Sequence, residues 1–408
     1  MILSEAWQGK RYAVYGLARS GLASVEALVR SGAKVACWDD KEEARAKASP
    51  WAERIDFLED GLDGFDGLVV SPGVPLNRHP IRELAEKAGC PIIGDVELFA
   101  LARSTLPGHA VVGITGTNGK STTTALIAHI LKQAGVPASM GGNIGIPILA
   151  QDALPQGGVY VLELSSYQID ITQSLDCEVA LILNITPDHL DRYDGFGAYV
   201  ASKERLFAMQ GEDGVEIDMR GMDLDYQGTP EGWSASLAGP HNYQNATAAI
   251  LACSALGLER EQIEAGLASF TGLPHRMEQV REVGGVRFVN DSKATNPASA
   301  APALAAYDQV RWIVGGEAKT DSLDELADQL GHVVKAYLIG ESAELWSRLL
   351  DGKVETEACG TLDVAVSKAA ADANDGDVVL LSPACASFDQ FDNFEARGDA
   401  FRALVEAL

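Results

Sequence analysis

The sequence predicts an α/β protein of three domains with largely parallel sheets. Short apolar runs alternate with amphipathic helical stretches almost from end to end. Several of those runs end in turns rich in glycine and hydroxyl side chains. A chain of 408 residues also exceeds what one ordinary core organises.

In chain order, strands are expected at Tyr12–Tyr15, Lys34–Trp38, Gly67–Val70, Ala110–Thr115, Val159–Glu163, Val179–Ile185, Val286–Asn290, Arg311–Gly315, Lys335–Ile339 and Asp377–Ser382. Helical periodicity marks Gly21–Ser31, Thr122–Ala134, Tyr199–Met209, Asn245–Ala255 and Thr361–Ala373. Turn signals near Gly94 and Gly272 divide the chain into 1–94, 95–272 and 273–408. The acidic, weakly periodic Gly211–Gly239 stretch is expected to be loop or a short β excursion.

Composition narrows the function. The 58 acidic and 32 basic residues give a net charge of −26, which disfavours nucleic acid and anionic membranes as partners. An anionic small molecule must then meet positive charge locally, at helix N-termini and a few chosen lysines and arginines. The six scattered cysteines form no metal or disulfide pattern. No leader segment opens the chain and no apolar run approaches a membrane span, so a cytoplasmic location is expected.

The strongest motif is Gly116-Thr117-Asn118-Gly119-Lys120-Ser121, set between a strand and a helix. Its glycines let backbone N–H groups turn toward the phosphates of ATP; Lys120 can reach the terminal phosphates and the Ser121 hydroxyl can hold Mg²⁺. Ile114 stands where the standard loop has its first glycine, so this is a shorter relative of that loop. In Gly16-Leu17-Ala18-Arg19-Ser20-Gly21, Ala18 replaces the middle glycine of a dinucleotide fingerprint. That argues against NAD and leaves either a nucleotide-diphosphate site or a structural turn. Ser71-Pro72-Gly73 falls at the same carboxyl edge.

Glu163, at a strand end beside the phosphate loop, reads as a Mg²⁺ ligand or as a surface acid. Thr186 and Pro187 read as the cap and first residue of a helix, with Asp188 and His189 in its first turn. Lys203 alone reads as a solvated helix lysine. Further on, Asn290–Pro297, Gly315–Lys319 and Ser382–Phe391 each follow an apolar strand, which builds one shared site at that sheet's carboxyl edge.

Taken in order, GTNGKST (Gly116–Thr122), ELSSYQ (Glu163–Gln168), NITPDHLDRY (Asn184–Tyr193), HNYQNA (His241–Ala246), GLPHR (Gly272–Arg276), NDSKATN (Asn290–Asn296) and LSPACASFDQF (Leu381–Phe391) resemble the Mur ligases. The last two segments are similar to the D-glutamate-adding branch. Asn118 stands where the alanine-adding branch has histidine, and the Asp-Asn-Pro-Arg motif of the diaminopimelate- or lysine-adding branch is missing.

The resemblance implies Rossmann-like N- and C-terminal domains around a central P-loop ATPase-type domain. It implies ATP-dependent joining of D-glutamate to UDP-N-acetylmuramoyl-L-alanine through an acyl phosphate, by a monomer using two Mg²⁺ ions. ATP would be held by Gly116, Thr117, Asn118, Gly119, Lys120, Ser121, Thr122, Asn242, Asn245, Arg276 and Asp291. The metals would be held by Ser121, Glu163, His189 and a carbamylated Lys203, which overrides the solvated reading of that lysine. Arg19, Ser20, Asp39, Ser71, Pro72, Gly73 and Asn143 match the uridine-nucleotide site. Lys293, Thr295, Lys319, Ser387 and Phe394 match the D-glutamate pocket. Ligands on three domains imply closure during reaction. The chain departs from the family in its short 204–240 segment, 37 residues long, and in Asp40-Lys41 after the nucleotide-binding aspartate.

Overall fold

The computed structural model describes residues 1–48, 50, 52–188 and 192–408. Met1–Trp233 with Pro240–Phe270 form one compact unit, and Ser234–Gly239 with Thr271–Leu408 form a second.

The first unit carries two five-stranded sheets. Strands β1 (Arg11–Tyr15), β2 (Lys34–Trp38), β3 (Glu53–Arg54), β4 (Gly67–Val70) and β5 (Ile92–Ile93) pair in parallel in the order β3-β2-β1-β4-β5. Strands β6 (His109–Thr115), β7 (Ala138–Gly142), β8 (Gly158–Glu163), β9 (Val179–Ile182) and β10 (Val215–Asp218) pair in parallel in the order β10-β9-β6-β8-β7. β1 and β6, central in their sheets, are the strands that feed the two glycine turns. A single apolar cluster runs from Trp7, Val14 and Leu28 through Leu98 and Phe99 to Tyr160, Leu162 and Leu206. Helix Asp95–Ala102 joins the two sheets, and its buried Glu97 accepts hydrogen bonds from the Gln173 and Ser174 amides at 2.6 and 3.0 Å.

The second unit holds six strands: β11 (Glu278–Val283), β12 (Val286–Asn290), β13 (Val310–Gly315), β14 (Val333–Ile339), β15 (Glu355–Gly360) and β16 (Val378–Leu381). Their order is β11-β12-β16-β13-β14-β15, parallel except for the β11–β12 hairpin. Apolar clusters cover both faces, one around Trp312 and Trp346 and one around Tyr337 and Phe401. Between β13 and β16, Arg311 Nε donates to Asp377 Oδ2 at 2.7 Å, both side chains 8% exposed. Asp377→Ala strands the guanidinium in the interior and is expected to cost about 3 kcal/mol, read as a lower urea midpoint in equilibrium unfolding.

Each strand predicted from the sequence is present within a residue or two, save one that stops early. The run Val179–Ile185 ends as a strand at Ile182. Leu183 N still bonds Thr115 O at 3.0 Å, after which Asn184 turns toward the phosphate loop. The helix expected at Thr186–Pro187 is corrected: neither Pro187 nor Asp188 is helical, and among the described residues the next helix starts at Phe196. Thr186 is instead tied back to the phosphate loop, its N–H donating to the Thr117 hydroxyl at 3.0 Å and its C=O accepting from it at 3.2 Å. The Gly211–Gly239 stretch holds the short strand β10 and one 3-10 turn, Ala235–Leu237.

Candidate active site

The phosphate loop forms because β6 delivers the chain to Gly116 and the helix Lys120–Gln133 takes it away. Gly119 caps that helix in the left-handed region, φ +84°. A Cβ there would lie 2.2 Å from Asn245 Oδ1 and 3.4 Å from Leu183, so only glycine fits under the helix Pro240–Ala255. Asn184 braces the loop: its O and Oδ1 accept from Thr117 N and Asn118 N, both at 2.8 Å. Lys120 Nζ folds back onto Gly116 O and Thr117 O at 2.9 and 2.8 Å. Asn245, 5% exposed, donates to Asn242 Oδ1 at 3.3 Å, so both predicted nucleotide residues stand beside the loop.

Two groups give this cradle its chemistry. Glu163 ends β8 with its side chain 3% exposed. Asn143 Nδ2 donates to its Oε1 at 3.1 Å, while Oε2 has no hydrogen bond among the described residues. A buried carboxylate oxygen left in that state is costly unless a cation meets it. Ser121, 6% exposed, sits in the first turn of the loop's helix. The donor set therefore fits Mg²⁺.

The second group is Lys203, and the solvated reading of it is overturned. Its side chain is 2% exposed, because the face of helix Phe196–Ala208 that carries Ser202, Lys203 and Leu206 packs inward. Nζ donates to Gly116 O at 2.9 Å and lies 4.7 Å from the Tyr199 ring centroid. Burial, with the nearby Lys120 charge, pulls the ammonium down to about 7 from the usual 10.5. His189 lies outside the described residues.

At the edge of the first sheet, Asp39 is committed to the turn: Oδ2 accepts Leu17 N at 2.6 Å and Oδ1 accepts Lys41 N at 2.9 Å. Ser71 Oγ donates to Gly16 O at 2.7 Å, and Arg19 Nη2 to Gly145 O at 2.8 Å, two residues from Asn143. Asp40, flagged by its departure from the family pattern, accepts from the Tyr15 hydroxyl at 2.8 Å. Ser71 and Pro72 open onto a cavity of about 840 Å³ whose far wall carries Tyr167, Asp170, Arg192 and Tyr193.

In the second unit, Asp291 accepts from Ser382 Oγ at 2.7 Å and Met277 N at 3.2 Å, and burial pushes its carboxyl up to about 7. Arg276 is close enough for its charge to be felt there. Lys293 Nζ lies 4.1 Å from the Phe394 ring centroid. Ser387 is 2% exposed and Lys319 is exposed. Their turns meet where Glu317 and Ala386 exchange backbone hydrogen bonds of 3.0 and 2.9 Å. Lys293 and Ser387 thus lie on the turns after β12 and β16, with Phe394 at the start of the helix Phe394–Glu406; Thr295 stands half-buried two residues beyond Lys293.

Two families of sequence pattern match this chain, the Mur ligase middle domain over residues 114–224 and the Mur ligase glutamate ligase domain over residues 275–385. The UDP-N-acetylmuramoylalanine--D-glutamate ligase of Sphingopyxis alaskensis is 57% identical over 432 aligned positions, spanning all of both chains. The chain belongs to the Mur ligase family. A second Mur relative, the UDP-N-acetylmuramoylalanine--D-glutamate ligase of Novosphingobium aromaticivorans, is 56% identical over 429 positions, covering all of this chain and 97% of that protein. Both alignments are longer than the 408-residue chain, so each relative carries residues that this Mur ligase lacks. Among solved structures, UDP-N-acetylmuramate-alanine ligase MurC from Thermotoga maritima matches with a TM-score of 0.59 at 17% identity, over 98% of this chain and 99% of that one. That likeness speaks for the Mur ligase fold alone.

Two contributors escaped sequence reasoning. Asn184 lies inside the NITPDHLDRY motif, where a polar residue directly after a buried strand is the signal that points to it. Arg397 lies in the C-terminal helix Phe394–Glu406, and nothing in local sequence marks it as buried.

Proposed function

We propose that the chain is the ATP-dependent ligase that adds D-glutamate to UDP-N-acetylmuramoyl-L-alanine in peptidoglycan precursor synthesis, acting as a cytoplasmic monomer on small-molecule substrates. The observation that carries this reading is the pairing of the braced phosphate loop with a buried, charge-depressed lysine against the Gly116 carbonyl. An ordinary ATPase loop has no use for that second amine.

The organisation we infer is 1–94 for the nucleotide substrate, 95–272 for ATP and 273–408 for the amino acid. Arg19, Ser20, Asp39, Ser71–Gly73 and Asn143 hold the uridine nucleotide. Gly116–Thr122, Asn242, Asn245, Arg276 and Asp291 hold ATP. Lys293, Thr295, Lys319, Ser387 and Phe394 hold D-glutamate. Lys203, largely neutral above pH 7, adds to CO₂ and releases a proton, becoming a carbamate. Ser121 and Glu163 would hold one Mg²⁺ and carbamylated Lys203 with His189 a second, and such ions would supply charge neutralisation for the phosphoryl group.

The side chains then orient and neutralise. Lys120 swings from the Gly116 and Thr117 carbonyls to the transferring phosphate. The lactyl-alanine carboxylate takes that phosphate from ATP, forming an acyl phosphate and ADP. The D-glutamate amine attacks the acyl carbon, inorganic phosphate leaves and the amine loses a proton. No nucleophilic side chain takes part. The expected result is phosphate release that needs ATP, the muramoyl-alanine nucleotide and D-glutamate together. Release indifferent to D-glutamate, or equal with L-alanine or diaminopimelate in its place, would sink this reading.

A further inference from the structure

The helix Phe394–Glu406 begins with Asn393 Oδ1 accepting Ala396 N at 2.7 Å, and one turn in it buries Arg397 to 1% exposure. The guanidinium reaches two separate turns. Nε donates to Ser292 Oγ at 3.0 Å and Nη2 to Ser292 O at 2.9 Å; Nη2 also reaches Cys385 O at 3.1 Å and Nη1 reaches Ala386 O at 3.2 Å. Ser292 Oγ in turn donates to Phe394 O at 2.8 Å, which closes the ring of contacts. Ser292 precedes Lys293, and Ala386 precedes Ser387. Arg397 therefore grips the residue just before each of two proposed amino-acid ligands, without holding either.

Its charge is unmatched. Among the described residues no carboxylate pairs with it, and Asp389 acts only at longer range. Carbonyl dipoles solvate it, yet burial still drags the guanidinium down to about 10. Other buried cations of this unit, such as Arg311, carry a carboxylate at contact distance. Removing a charge from water with no counter-ion is retained only where something else repays it.

We propose that Arg397 is a positioning residue for the amino-acid substrate: it fixes the Ser292–Lys293 and Ala386–Ser387 turns in register, and the anionic substrate itself supplies the missing counter-charge. This rests on the D-glutamate reading of the pocket. The two carboxylates of the substrate bring net negative charge to turns held over a buried positive one, so Arg397 acts on affinity for that substrate and not on phosphoryl transfer.

Arg397→Gln and Arg397→Lys separate the two contributions in the complete ligase assay. Arg397→Gln is expected to raise KM for D-glutamate about tenfold or more, with kcat and KM for ATP within about threefold of the parent. Arg397→Lys, which keeps the charge, is expected to recover most of that loss. Added salt should raise KM for D-glutamate in the parent more steeply than in Arg397→Gln. An unchanged KM in Arg397→Gln, or kcat and every KM worsening together, overturns the proposal. Should Arg397→Gln not fold, Arg397→Lys decides: a KM within about threefold of the parent upholds the charge role and a tenfold loss ends it. A parent chain that ignores D-glutamate instead overturns the pocket reading beneath it.

Discussion

Lys203→Ala is expected to lower ligase turnover by about three orders of magnitude. The side chain is buried 2.9 Å from the Gly116 carbonyl oxygen, so its loss removes a group from the floor of the phosphate cradle. Short carboxylates such as acetate or formate, which mimic a carbamate in a vacated channel, should restore part of the rate. The pH dependence has a definite sign. With the ammonium pulled down to about 7, the amine is mostly neutral and able to take up CO₂ above that pH. As pH falls through 7 it protonates, and a carbamate on it would be lost. Turnover should therefore fall on the acid side, and enzyme stripped of CO₂ should recover when bicarbonate is added at pH 8 but not at pH 6. Full activity in the alanine variant, or recovery equal at both pH values, would remove the carbamate role.

Gly119→Ala is expected to cut kcat/KM for ATP by at least about a hundredfold. The new methyl would stand 2.2 Å from Asn245 Oδ1 in a backbone of φ +84°, so neighbour and loop must both move. Because the same residue caps the helix whose first turn carries Lys120 and Ser121, displacement of the cap misplaces both. The measurement is ATP-dependent phosphate release beside ADP binding by calorimetry, with near-ultraviolet circular dichroism to show retained folding. A folded variant that binds ADP as the parent does would show the contact to be tolerant.

How much of this was legible in the sequence follows the physics of each element. Central strands such as β1, β6 and β13 announce themselves as apolar runs because both faces are buried. Edge strands β11 and β15 went unread, since Glu278–Val283 and Glu355–Gly360 mix charged, polar and apolar residues without a clear period of two and are largely exposed or half-buried. β7 was hidden by its two closing glycines. Gly142, φ +83°, passes the Glu163 carbonyl where a Cβ would come within 2.1 Å. For the site, the loop, Glu163 and the polar turns were visible because they follow strands directly. Burial of Lys203 and Arg397 was not, because it is decided by what packs across the helix: Gly116, 87 residues away, for Lys203 and Ser292, 105 residues away, for Arg397. The supposed helix at Thr186 failed for a similar reason: good capping chemistry lost to a tertiary partner, the Thr117 hydroxyl.

The apolar cluster that runs from Trp7 through Phe99 to Tyr160 makes the first two sheets one thermodynamic block. The phosphate loop after β6 and the glycine turn after β1 thus stand or melt together, and a hole opened beside Phe99 would be felt at both. Evolution of one binding surface in this chain is therefore not free of the other: a substitution that loosens either sheet spends the shared stability margin of both.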